Sequence, residues 1–315
     1  MGTSYHITVV EPDDGNSEAV PTLGKEALAS RVELRLALIN QQMSTYLDNS
    51  ELSTFNRAPV GQWQNVSPEL FDVLMLSLEL GWLSNGAFDI SVGPLVALWG
   101  FGSTDNRLDK QRSLPSQDEI TRVLENVGFQ YLEFNMLDNR VRKLRNIELD
   151  LSAIAKGYGV DKLAELLLST GYQHFMVEVG GELRLHGNSP RGTPWRIAIE
   201  QPGSGFTDVH RAVSVSGVGL ATSGDYRNYF EYEGKRYSHT INPKTGAPIT
   251  HNLVSVTVIA QTSAYADGLA TAISVMGLEM GLQLAQQQNF AVYFISKTKD
   301  GFETVASDAF KPYLE

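Results

Sequence analysis

The chain is predicted to be α+β, with mixed or antiparallel sheets flanked by helices. Three observations predict this. Short β-prone runs meet at tight turns, as at Asp138-Asn139 and Glu233-Gly234, instead of alternating strictly with helices. Helical stretches with recognisable caps stand between those runs. The 315 residues are 42% hydrophobic, enough for a substantial core in one large domain or two closely packed lobes. No linker is long or polar enough to divide the chain, so a single domain over 1–315 is expected.

Each element follows from its local pattern. Ser4 to Val10 alternates as a strand. Leu28, Val32, Leu36 and Ile39 recur at helical spacing within Leu23 to Asn40. Met43 to Arg57 is polar and irregular and is expected to be a loop. Ser67 caps a second helix, with Pro68 at its first position and Glu69 in its first turn, running to about Ser84 and ending near Gly86. Gly86 to Gly102 is expected to be a loop containing an apolar turn, Pro94 to Trp99. Ser116 to Val127 is a helix ended by Gly128, and Phe129 to Leu144 a hairpin. Ala153 to Thr170 is a helix stopped by Gly171. Strands are expected at His174–Val179, Glu182–His186, Trp195–Glu200 and Val213–Val218, followed by the hairpin at Glu233-Gly234. Leu253 to Ala260 is a strand, Thr262 to Met276 a helix closed by Gly277, and Ala291 to Ser296 the last core strand.

Composition excludes several function classes. A net charge of −11 repels a nucleic-acid backbone, so no nucleic-acid partner is expected. An anionic ligand would need a metal ion or a cluster of N–H donors beside it. There are no cysteines, which excludes disulfides, thiolate nucleophiles and cysteine-ligated metals. No apolar run approaches the roughly 20 residues of a membrane span. The six histidines show no HExxH or zinc spacing, and neither GxGxxG, GKS/GKT nor GxSxG occurs.

Several loops carry polar cargo. Tyr237 to Pro248 packs a histidine, the hydroxyls of Ser238, Thr240 and Thr245, an amide and a lysine among two prolines and a glycine. That mixture cannot be a continuous core strand. His239 there is either a chemical group on a rigid loop or a half-buried bystander. Asp267 and Thr271 lie four apart on a helix and so share a face. A carboxylate and a hydroxyl suit Mg²⁺, which takes few protein ligands and keeps waters. The small apolar neighbours of Asp267 imply burial, and a buried acid needs a partner. That partner is a metal or a hydrogen-bond donor. Asp150 to Asp161 joins a strand end to a helix start, where N–H groups suit an anion and Lys156 adds a point charge. The alternative is an ordinary helix start. Gly86 to Pro94 is a small-residue loop, with Phe88, Trp99 and Phe101 either lining an aromatic pocket or filling core. Gly180-Gly181-Glu182 and Thr222 to Arg227 are further tight turns with polar cargo.

Taken in order, these stretches resemble the ApbE family of FAD:protein FMN transferases. The resemblance rests on Met1-Gly2-Thr3, Met43 to Tyr46 with Ser50 to Asn56, Gly86 to Leu95, Asp150 to Asp161, Ser223 to Arg227, Ser238 to Gly246, and Ala266 to Ala272, and spans nearly the whole chain. It implies an ApbE-like, T-fold-related architecture with the active site in a cleft between two packed lobes. It implies Mg²⁺-dependent transfer of FMN from FAD to a threonine or serine hydroxyl of a target flavoprotein subunit, through a phosphoester bond, with release of AMP. Mn²⁺ is a possible substitute. Carried onto matching positions, Ala153 (through its carbonyl), Asp267 and Thr271 hold the metal. Met1, Tyr46, Ala87, Phe88, Asp89, Asp150, Lys156 and Ile241 hold FAD. His239 is the candidate base, with Asp267 catalytic through the metal, and Asn242 is expected to shape a turn. The resemblance further implies a periplasmic or extracytoplasmic location, with an export segment or lipid anchor upstream of this sequence. Two other readings use the same residues: a FAD pyrophosphatase that yields FMN and AMP, and a flavin-binding protein without turnover.

Overall fold

Seven strands form one sheet in chain order, each antiparallel to its neighbours: Tyr5–Val9, Phe175–Val179, Glu182–His186, Val218–Gly224, Leu253–Ala260, Ala291–Thr298 and Gly301–Ala306. The computed structural model describes residues 2–11, 23–101, 114–200, 209–224 and 229–315. Leu253–Ala260 lies inside the sheet and is buried along nearly its whole length. Its side chains face two cores, alternating after a bulge between Leu253 and Ser255 that shifts the faces by one residue. Val256 and Val258 face one core, together with Val292 and Phe294 of the neighbouring strand. Val254 and Ile259 face the other, with Tyr293 and Ile295.

Two helices cover the first face. Ser263–Met276 contributes Ala266, Leu269, Ala270 and Ile273 to its core. Ala155–Ser169 packs Val160, Leu163 and Leu167 against Phe175 and Val177, with Leu28 and Val32 of the outer helix Lys25–Met43 behind them. The second face is covered by the hairpin Trp195–Glu200 and Val209–Val215 and by the C-terminal residues around Phe310.

The helices start where side chains replace missing backbone partners. Ser67 accepts the Leu70 N–H at the head of Pro68–Leu83, and Ser116 with Glu119 forms a capping box before Gln117–Leu124. The expected hairpin is present as Leu132–Asn135 and Arg140–Lys143, joined by Gln64–Asn65 into a small sheet.

Three local expectations are corrected and two elements are added. Met43 to Arg57 is not all loop: Glu51–Arg57 is a helix, because Ser50 caps it through the Ser53 N–H and Leu52 and Phe55 are buried beneath it. The apolar turn at Pro94 to Trp99 is a short helix, Gly93–Leu98. Val213 to Val218 is not one strand; the chain turns at Ser216-Gly217, where Gly217 has a positive φ, and separates Val209–Val215 from Val218–Gly224. The strand at Ala291 is followed by the half-exposed edge strand Gly301–Ala306, and the helix Leu278–Gln287 precedes it.

Candidate functional site

The two covering helices are locked by exchanged carboxylates. Asp267 reaches from Ser263–Met276 to accept the Gly157 N–H of the other helix at 3.0 Å. Asp161 reaches back and accepts the Ser263 and Ala264 N–H groups at 2.9 and 2.8 Å. Each acid thus satisfies orphan donors in the first turn of the opposite helix, where the helix dipole also favours negative charge. Gly157 makes this possible. A Cβ there would lie 2.6 Å from the Ser263 carbonyl carbon and 2.8 Å from the Ala264 Cα.

The lock has a consequence for Ala153. Gly157 donates to Asp267 and not to the Ala153 carbonyl four residues back. That carbonyl therefore lacks its ordinary helical donor.

Lys156 sits between two acids. Its Nζ donates to Glu182 Oε1 at 2.5 Å and lies 3.7 Å from Asp267 Oδ1. Burial works to lower the Lys156 pKa, but the Asp267 and Glu182 charges override it and hold the ammonium above its ordinary value. Burial raises the Asp267 carboxyl, against the pull of Lys156 and the Gly157 N–H. Burial, with the Asp267 charge adding to it, pushes Glu182 up to about 8. Glu182 Oε2 is buried with no hydrogen-bond partner among the described residues. One ammonium thus faces two buried carboxylates, so the locality is short of positive charge.

These groups open into a cavity of about 550 Å³. Tyr46, Ala87, Phe88, Asp89, Asp150, Ala153, Lys156, His239, Ile241, Asp267 and Thr271 all line it. Every residue singled out from the sequence for metal, flavin or proton chemistry therefore meets in one place, except Met1, which lies outside the described residues, as do residues 225–227 of the Ser223 loop.

The loops are held by their own side chains. Asp89 accepts from the Ser91 N–H and Oγ at 2.8 and 2.6 Å and from the Phe129 N–H at 3.0 Å, which ties two loops together. Burial raises its carboxyl while those bonds oppose the rise. Asp150 Oδ1 accepts from the Ser152 N–H at 2.7 Å and from its hydroxyl at 2.5 Å. Asp150 does not end a strand, since the preceding strand closes at Lys143; its N–H donates to Ile90 instead. The Tyr237 to Pro248 segment forms a short strand, a bend at His239, and the two-residue ladder of Ile241–Asn242 with Ala247–Pro248. Asn242 Oδ1 accepts the Lys244 N–H at 2.9 Å, the expected turn role. Trp99 Nε1 pins the turn by donating to the Gly246 carbonyl. Phe101 meets His239 edge-on and lines the cavity with Phe88, whereas Trp99 is core, stacked on Tyr237.

The donors fit a hard divalent cation. Asp267, Thr271 and Ala153 line one cavity and offer a carboxylate, a hydroxyl and a carbonyl, with the orphaned Glu182 oxygen as a further acceptor. Among the described residues there is no group of three or more His, Asp or Glu that could hold a metal alone. Any metal here would rely on the carbonyl, the hydroxyl and ligand oxygens.

Sequence reasoning did not assign Glu182 to the site. Its signal was the Gly180-Gly181 turn, where Gly180 adopts a positive φ and a Cβ would meet Lys156 Cδ at 3.2 Å. The strand residues Ile197 to Glu200, also on the cavity, carried no signal beyond ordinary alternation.

Comparisons with known proteins agree on one family. The ApbE family model matches residues 1–294. The FAD:protein FMN transferase of Vibrio cholerae serotype O1 is 41% identical over 323 residues, covering 100% of this chain and 90% of that protein. The protein of the same name from Haemophilus influenzae is 41% identical over 320 residues, with coverage of 100% and 90%. Among solved structures, the flavin transferase ApbE from Vibrio cholerae superposes with a TM-score of 0.89 at 40% identity, over 100% of this chain and 96% of the other. The apo flavinyl transferase ApbE of Pseudomonas stutzeri gives 0.88 at 38% identity, over 99% and 94%.

Proposed function

We infer from the premise that this chain belongs to the ApbE family that it is a FAD:protein FMN transferase. The reaction proposed is Mg²⁺-dependent transfer of FMN onto a threonine or serine hydroxyl of a target flavoprotein, with AMP as the leaving product. The observation that carries this reading is the cavity where Lys156, Asp267, Thr271, His239 and the Ala87–Asp89 loop converge.

Each residue has a share. Asp267, Thr271 and the Ala153 carbonyl would hold Mg²⁺, with Mn²⁺ able to replace it. When bound, the ion supplies positive charge to neutralise the FAD pyrophosphate, which matters in a chain of net charge −11. Lys156 contributes a second cation next to Asp267. Tyr46, Phe88 and Ile241 offer aromatic and apolar surface for the flavin, while Asp89 and Asp150 hold the loops that present it. Met1 is assigned to FAD on the resemblance alone.

His239 acts as general base. It accepts the proton of the acceptor hydroxyl as that oxygen attacks the phosphorus of the FMN moiety. An O–P bond forms to the acceptor, the P–O bond to the AMP phosphate breaks, and AMP leaves with the bridging oxygen. Phe101 against the imidazole restricts its orientation.

The test is direct. Purified protein with FAD and Mg²⁺ should attach FMN to an acceptor peptide, seen as a mass gain with equimolar AMP. AMP and free FMN without a mass gain would identify a hydrolase. Tight FAD binding without AMP would identify a binding protein. The reading extends to an extracytoplasmic location with an upstream anchor, testable by fractionating native cells.

A further inference from the structure

We propose that the edge of Trp195–Ile199 that no strand pairs among the described residues is where the acceptor protein docks, adding an extended segment as a further β-strand and so delivering its hydroxyl into the cavity. The proposal rests on the transferase reading above.

The geometry begins with the cavity lining. Four consecutive residues, Ile197, Ala198, Ile199 and Glu200, all border the cavity. Successive side chains of a strand point to opposite faces. Ile199 is buried in the core beneath the hairpin, as is Trp195, whereas Ala198 is exposed on the other face. Residues from both faces of a strand touch one cavity where the cavity runs along the strand's edge or past its end, and the lining residues here are the last four of the strand.

One edge of this strand is taken. It pairs with Val209–Val215 and, among the described residues, with no other strand. The outer edge of Val209–Val215 is met by the C-terminus, where Leu314 bridges Val213 and the Glu315 N–H donates to the Ala212 carbonyl. The cavity therefore meets the last part of the remaining edge. Ile197 to Ile199 of that edge border the cavity; Trp195 and Arg196 lie outside its lining, and the register with Val209–Val215 shifts between Ile199 and Glu200. No proline or lysine, residues that commonly blunt an edge, occurs in Trp195–Ile199.

The chemistry selects the occupant. A protein hydroxyl must reach the space that holds His239 and Lys156. A helix about 10 Å across is too wide to share that space with FAD, whereas a strand sits about 4.8 Å from its neighbour. Main-chain pairing supplies affinity, and side chains of the added strand point alternately away from and toward the site. Such an edge reads backbone first and sequence second.

The test uses the intact chain with FAD and Mg²⁺. The probes are a short synthetic peptide spanning the acceptor threonine of a flavinylated protein, and its Thr-to-Ala form, which binds without turnover. Hydrogen exchange read by mass spectrometry should slow across 195–199 with the Ala peptide and not with FAD alone. Two further peptides carry N-methyl groups on alternate backbone amides, one set shifted by one residue from the other. One set should lose FMN transfer by at least about tenfold, through loss of two or three main-chain bonds, and the other should transfer normally. Unchanged exchange, protection by FAD alone, or equal transfer to both methylated peptides would overturn the docking edge while the mass gain on the unmodified peptide upholds the transferase. Failure of the unmodified peptide to gain FMN, with no AMP released, would instead strike the transferase reading and remove the proposal with it.

Discussion

Replacing Gly157 by alanine sets two effects of opposite sign against each other. Alanine favours the helix over glycine by about 1 kcal/mol. Against that, the new Cβ would lie 2.6 Å from the Ser263 carbonyl carbon and closer still to its oxygen. Ordinary van der Waals contact begins near 3.4 Å, so the helix Ser263–Met276 must retreat by roughly 1 Å. The obstacle is backbone, which cannot rotate aside. Overpacking of this kind costs about 1–3 kcal/mol, and an immovable neighbour places it at the upper end. The net expectation is about 2 kcal/mol of destabilisation. The retreat also stretches the 3.0 Å bond from Gly157 to Asp267 and moves Asp267 with its helix. A displacement near 1 Å in a catalytic group can cost about 10²-fold in rate. Urea denaturation and an FMN-transfer assay measure the two outcomes. Gly24→Ala, where a Cβ meets nothing within 4 Å, is the control and should stay within about 0.5 kcal/mol. A Gly157→Ala protein as stable and as active as the parent would refute the close helix contact.

Three further outcomes follow from the site. Asp267→Ala should abolish metal-dependent AMP release and FMN transfer; full activity in that variant would remove it from the metal site. His239→Ala should slow transfer by about 10²–10⁴-fold while leaving FAD affinity, read by fluorescence titration, nearly unchanged; equal loss of both would make it a binding residue. The metal-free protein should lose stability as pH rises, because Glu182 has a folded pKa of about 8, above its ordinary 4.5. Its contribution is complete below about pH 4.5 and lost as pH passes through 8, up to about 5 kcal/mol at the limit. Urea midpoints in EDTA at pH 5 and 9 should show the parent falling relative to Glu182→Gln, and parallel behaviour of the two would contradict the shift.

Much of the fold was legible because its signals are local. Ser67-Pro68-Glu69 marks a helix start through backbone chemistry that needs no tertiary partner, and Asn139 with its positive φ marks a hairpin. Glu51–Arg57 was hidden because its polar surface outweighs two buried residues, Leu52 and Phe55, whose role emerges only against the core. Asp267 and Thr271 were visible through their spacing, and the acid's apolar neighbours announced burial. Glu182 was not visible as a site residue. Its importance comes from Lys156, twenty-six positions away, and from an oxygen that lacks a partner only once the sheet is assembled. The Trp195–Glu200 edge was opaque for a similar reason: whether a strand edge is covered or open depends on its neighbours in space.

The central claim is that Asp267 and Thr271 lie where the pyrophosphate of FAD is cut. A crystal structure with FAD and Mg²⁺ bound tests it most directly. Asp267, Thr271 and the Ala153 carbonyl would hold a metal ion at the short distances of about 2.0–2.1 Å that Mg²⁺ takes, beside the FAD pyrophosphate and in the cavity that His239 also lines. FAD seated elsewhere, or in this cavity with its pyrophosphate remote from Asp267 and no metal between them, would contradict it.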